Sequence, residues 1–128
     1  MEQAMTGVDY PDMRVEIVDA IRALSDPEYQ RRVWVRREMP HPNYHDNFTM
    51  NIHVLYDDTT VFENLSEAVG PYLRNQAEIR ALAPLKDALD SLFDVYGTEL
   101  TDEEYIDKPE WPTVIAAARA ALRVLTAH

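Results

Sequence analysis

Three histidines, His41, His45 and His53, stand close together in the chain beside Asp46, Asp57 and Asp58. Imidazole and carboxylate are the nitrogen and oxygen ligands that zinc and similar cations take. If the segment around residues 48–57 is helical, His53 and Asp57 are i, i+4 neighbours on one face. His41 and His45 would then have to approach from the preceding loop. The spacing matches no helical metalloprotease pattern, and prolines flank His41 on both sides. Surface histidines bonded to nearby acids are the simpler expectation. No metal is therefore expected, and His45, His53 and Asp57 are the residues to examine for one.

A second group is basic. Arg31, Arg32, Arg36 and Arg37 surround Trp34 within seven positions. Guanidinium forks hold carboxylates or phosphates, and an indole ring stacks on a planar or cationic group. In an acidic chain such a cluster either pairs with acidic segments of its own fold or faces a ligand. Arg32, Trp34 and Arg36 are the candidates for the outward-facing case.

A third group is acidic: Asp87, Asp90, Asp94, Glu99, Asp102, Glu103, Glu104, Asp107 and Glu110. Some of these form the solvated face of a helix and others act as caps. No acid of raised pKa stands out opposite an ordinary carboxylate, as glycoside hydrolysis requires. Asp102, Glu103 and Glu104 form the densest part and are the candidate contact with a cationic partner.

Other chemistries lack their parts. The only glycines are Gly7, Gly70 and Gly97, so no glycine-rich phosphate loop exists. Ser25, Ser66 and Ser91 all fit helix positions, and none lies in a nucleophile elbow. The chain has no cysteine, which removes disulfides, thiolate ligands and a cysteine nucleophile. Neither a catalytic residue nor a cofactor is expected.

The elements that carry these groups read as helices. Pro11 opens the first, with Met13, Ile17, Ala20, Ile21 and Leu24 on its apolar face and Arg14, Glu16, Asp19 and Arg22 in water. Ser25-Asp26-Pro27-Glu28 stops it and starts another. Residues 31–38 and 48–56 suit either period, because Val33-Trp34-Val35 and the alternation Phe48, Met50, Ile52, Val54, Tyr56 would also form strands. Asp57-Asp58 before Thr59-Thr60 reads as a cap. Asn64 or Ser66 caps a short helix with Leu65, Ala68 and Val69, closed near Gly70-Pro71.

The sequence is plainer beyond that point. Leu82, Leu85, Leu89, Leu92, Phe93 and Tyr96 form the best amphipathic stripe, and Gly97 is its stop. Pro84 either starts that helix or lies inside a longer one beginning near Asn75. Thr101-Asp102-Glu103-Glu104 is a capping box. Pro112 opens the last helix, with Ile115, Ala118, Leu122 and Leu125 inward and Trp111 as a staple whose indole nitrogen reaches the surface.

The predicted fold is therefore all-α, a single multi-helix domain over residues 10–128 behind a flexible leader at 1–9. The alternative is α+β, with a hairpin formed by residues 31–38 and 46–56. The chain has 128 residues, 46% of them hydrophobic, which suits one core. Twelve basic residues against 23 acidic ones give a net charge of −11. A field of that sign repels nucleic acid and favours a basic partner. No apolar run reaches the length of a membrane span, and no signal peptide precedes the domain, so no membrane contact and a cytoplasmic location are expected.

Several phrases together carry a resemblance: Tyr10-Pro11-Asp12-Met13-Arg14, Ala23-Leu24-Ser25-Asp26, Tyr29-Gln30-Arg31-Arg32-Val33-Trp34, His53-Val54-Leu55-Tyr56-Asp57-Asp58-Thr59 and Pro109-Glu110-Trp111. They resemble a family of small actinobacterial proteins of unknown function, over residues 10–125. The resemblance implies a mostly helical domain and no established activity, cofactor or site residue. In size, charge and helicity its members are similar to the acidic immunity proteins that neutralise secreted toxins. The expected function is a non-enzymatic, acidic protein-binding module for a basic partner. The alternative is a small-molecule or metal site built from the central His, Arg and Trp residues.

Overall fold

The computed structural model describes residues 8–127. Helix α1 spans Pro11–Leu24. Helix α2 begins as Pro27–Tyr29, capped by the Asp26 side chain, and continues as a wider π-type turn over Gln30–Val35. Helix α3 is Phe48–His53, extended by a second π-type turn over Val54–Asp58. A single 3₁₀ turn at Leu65–Glu67 follows. Helices α4 (Gln76–Tyr96), α5 (Asp102–Ile106) and α6 (Trp111–Leu125) complete the chain. Among the described residues there is no strand, only an isolated bridge between Val69 and Leu73. The fold is all-α.

Local chemistry accounts for most of these boundaries. Proline lies in the first turn of α1, α2 and α6, where its missing N–H is not needed. Asn47 and Asn75 side chains accept the N–H of Met50 and Glu78, which starts α3 and α4. The Asn75 cap makes α4 the longer helix, with Pro84 inside it. Thr101 and Glu104 form the full capping box of α5. Gly97, at φ 77°, ends α4.

The ambiguous segments are helical because of which residues meet the core. Phe48, Asn51 and Leu55 are buried, at helical spacing, while Met50 is exposed and Ile52 and Val54 are half-buried. A strand would have buried Met50, Ile52 and Val54 together. In α2 the buried residues are Gln30, Val33 and Trp34. The Arg36 N–H donates to the Arg31 carbonyl and the Thr59 N–H to the Val54 carbonyl, five residues back in each case.

Both π-type turns close on a left-handed residue other than glycine, Arg37 (φ 62°) and Thr60 (φ 56°). A β-branched side chain is strained there. Thr60→Gly is expected to gain about 0.5–1 kcal/mol of stability, the strain relieved less the added chain entropy. Urea unfolding would read this, and a loss would show that the Thr60 hydroxyl, bonded to the Thr59 carbonyl, outweighs the strain.

One hydrophobic core draws on every element. Helix α6 packs against both α1 and α4, burying Trp111, Val114, Ala118, Ala121 and Leu125. Ile115 and Leu122, expected inward, lie half-buried at its margin. Trp111 is not a surface staple. Its indole N–H donates to Gln30 Oε1 at 2.9 Å inside the core, and Gln30 Nε2 donates to the Ala23 carbonyl at 2.8 Å. Burial of the indole nitrogen is possible because Gln30 supplies the acceptor.

Arg14 departs most from expectation. It does not face water. Its guanidinium forks onto Glu78 at 2.9 and 2.8 Å and also donates to the Tyr72 and Leu125 carbonyls. The two side chains are 7% and 3% exposed. At the N-terminal edge, Val8 is buried, and the Asp9 and Tyr10 N–H groups donate to the Gly70 and Pro71 carbonyls. Residues 8 and 9 of the expected leader are thus held against the domain, while residues 1–7 lie outside the described residues.

Candidate functional site

Half-buried Asp46, at the end of the loop between α2 and α3, gathers a hydrogen-bond network around it. Its Oδ2 accepts the Trp34 indole N–H and the Tyr29 hydroxyl, each at 2.7 Å, and its Oδ1 accepts Asn51 Nδ2 at 3.0 Å. Tyr29 has one proton and gives it to Asp46, so the Tyr44 hydroxyl is the donor in the Tyr29–Tyr44 bond. Burial, then the bonds to Tyr44 and Asp46, push the Tyr29 hydroxyl far above the usual tyrosine range. It therefore remains a donor at any ordinary pH.

This network decides the fate of the basic cluster. Trp34, expected as part of a partner surface, is 2% exposed with its N–H engaged, so it belongs to the core. Arg31 pairs with Asp107 and, at 3.9 Å, with Glu103, tying α2 to α5. Arg32 reaches Glu28 and stands over the Tyr29 ring, and Arg36 reaches Glu38. Both remain exposed. The surface part of the expected trio is thus Arg32 and Arg36 without the ring.

The acids at 102–104 also have internal uses. Asp102 Oδ2 accepts the Phe48 N–H at 3.2 Å, at the start of α3. Glu103 faces Arg31, and Glu104 closes the capping box on the Thr101 N–H. Burial pushes the Asp102 carboxyl above its ordinary value, partly offset by the Phe48 N–H and by Arg37. A raised folded-state pKa means that the ionised form opposes folding: Asp102 contributes stability at low pH that is lost as pH rises through the folded value. Asp102→Asn, which keeps an acceptor for Phe48, is therefore expected to change stability at pH 7 by less than about 0.5 kcal/mol. Asp102→Ala is expected to cost about 1 kcal/mol for the orphaned N–H. Thermal unfolding of both variants checks this, and equal losses would place the charge itself in a stabilising role.

The histidines part company. His53 Nδ1 meets Asp57 Oδ2 at 2.5 Å, the i, i+4 pair that the spacing anticipated. His41 is exposed and rests edge-on against Tyr44. His45 is exposed beside a hollow between α1 and α3. Among the described residues, no three of His, Cys, Asp or Glu converge as a metal would need.

That hollow, of about 520 Å³, is bounded by Glu16, Asp19, Asp46 and Asp58 with Met50 and the two histidines. It shares Asp19, Asp46 and Asn51 with a second hollow of about 360 Å³ that adds Asp26 and Arg22. Glu16, Asp19 and Asp58 are exposed, and none forms a side-chain hydrogen bond or ion pair among the described residues. Sequence reasoning missed this surface because its acids come from helices some forty positions apart and form no run. The one signal available was Glu16 and Asp19, three apart on the polar side of α1.

Among the described residues, no helix is long and apolar enough to cross a membrane. The family model described as "Domain of unknown function (DUF7945)" matches residues 8–128. No curated protein and no solved structure matches the chain.

Proposed function

The chain belongs to that family of domains of unknown function, and from this premise we propose that it is a non-enzymatic binding module whose acidic groove between α1 and α3 receives a cationic segment of another protein. One observation supports the reading above all: Glu16, Asp19 and Asp58 border a concave surface and are not engaged by any other described residue, whereas the acids at 102–104 are. An unpaired acid facing a hollow keeps its charge available to a partner, and a chain of net charge −11 steers cations toward it. Met50 and Val54 in the same hollow give the methylene stems of lysine or arginine an apolar wall.

Neutralisation of a basic bacterial toxin in the cytoplasm is the specific role we favour, on size, charge and helicity. The actinobacterial origin belongs to the same reading.

The test is binding of a short oligolysine peptide by calorimetry at low and moderate salt. The groove variant Glu16→Gln/Asp19→Asn/Asp58→Asn is compared with a control, Asp87→Asn/Asp94→Asn/Glu99→Gln, which removes equal charge elsewhere. Three exposed pairs at about 0.5 kcal/mol each predict about a tenfold loss for the groove variant. Equal losses in both would leave only non-specific attraction and sink the proposal.

A further inference from the structure

The cavity between α3, the end of α4 and α5 has a different character. It holds about 370 Å³, at the lower end of the size of small-molecule sites, and its lining includes Phe48, Ile52, His53, Tyr56, Phe93 and Tyr105. The rings form one cluster: Phe48 lies 5.1 Å from Tyr105 and 6.0 Å from Phe93, and Phe93 meets Tyr105 edge-on at 5.9 Å and Tyr56 edge-on at 6.4 Å. Such edge-to-face arrays accept a further ring in the same manner.

The polar groups around the cavity are few and divide sharply. The Tyr56 hydroxyl donates to Asp90 and the Tyr105 hydroxyl to the Gly97 carbonyl. Neither has a proton left to donate to a ligand. His53 is held by Asp57 through Nδ1. Nδ1 is the ring nitrogen that Asp57 engages, which leaves Nε2 as the nitrogen open to a ligand. Asp57 also sits at the rim and, with the net charge of the chain, disfavours an anion.

We propose that this cavity binds a neutral, planar aromatic molecule of one or two rings, with its hydroxyl group donating to His53 Nε2. The apolar walls supply affinity by burial of the ring, and His53 supplies the orientation. The site adjoins the acidic groove across α3, and His53 borders both.

The test uses the full chain labelled with ¹⁵N and titrated with 4-methylphenol, toluene, benzoate and choline, with amide shifts followed by NMR. Expected are saturable shifts at Thr49, His53, Asp57 and Thr98 with 4-methylphenol, and affinity about tenfold above that for toluene, the value of one hydrogen bond. His53→Ala, at an exposed side chain, is expected to abolish the preference for the hydroxyl while toluene still binds. Thr98→Trp, at the exposed mouth, is expected to weaken both. Equal binding of toluene and 4-methylphenol by the unaltered chain, tighter binding of choline or benzoate, or shifts unmoved by Thr98→Trp would each overturn the proposal.

Discussion

Arg14→Met is expected to remove about 3–5 kcal/mol of folding stability, much of what a domain of this size has. The substitution keeps the length of the stem but leaves the Glu78 carboxylate, 3% exposed, without the guanidinium that forks onto it. It also leaves the Tyr72 and Leu125 carbonyls without their guanidinium donor. These contacts tie α1 to α4, to the segment before α4 and to the end of α6. Burial alone would push the Glu78 carboxyl up; the Arg14 guanidinium and the Arg74 N–H more than offset it and hold it below the ordinary value. A depressed folded-state pKa stabilises the fold above the unfolded carboxylate value, roughly 4.3, and that stability is lost as pH falls through the folded value. Without Arg14 only the N–H and the charge of Arg74 still oppose the burial effect, so the Glu78 carboxyl rises and the variant is expected to regain part of its lost stability, relative to the unaltered chain, on mild acidification. Urea unfolding at pH 7 and near pH 5 separates the two behaviours. A loss under about 1 kcal/mol at pH 7, or no recovery in acid, would mean that water reaches Glu78.

Trp111→Ala carries the second large effect, about 3–5 kcal/mol, since it empties a fully enclosed site beside Phe48. The polar half of the interaction can be isolated. Trp111→Phe retains a ring but leaves Gln30 Oε1, in a residue 0% exposed, without a donor. That is expected to cost about 1–3 kcal/mol beyond the lost area. Gln30→Met on its own removes the acceptor and orphans the Trp111 N–H. The double variant should therefore lose less than the sum of the two single losses, because neither partner is left alone. Strict additivity by calorimetric unfolding would show that the pair does not interact.

Much of the architecture was legible along the chain. The prolines of α1, α2 and α6, the Gly97 stop and the Thr101–Glu104 box are local devices, complete within a few residues, whereas the start of α4 was left open between Pro84 and Asn75. The stripe Leu82, Leu85, Leu89 and Leu92 named the buried face of α4 correctly. The His53–Asp57 pair was also legible, because helical spacing alone brings the two side chains together. The remaining candidates were decided elsewhere. Asp102 and Glu103 are in use because Phe48 and Arg31 arrive from other helices, and Trp34 is inside because Asp46 folds back to accept its N–H.

The sequence by itself therefore determined the helical class, most helix ends and the acidic field, since these follow from caps, periodicity and composition. Only the tertiary structure decided which polar groups are interior. Arg14, Gln30 and Glu78 each break the apolar period of their own helix, and each is buried because a partner from another element supplies the missing hydrogen bonds. For Arg14 and Glu78 that partner is 64 residues away, and for Gln30 and Trp111 it is 81. The aromatic cavity likewise needs α3, α4 and α5 at once. A buried polar group is stable only as a pair, and nothing along one helix reveals the partner that another will bring.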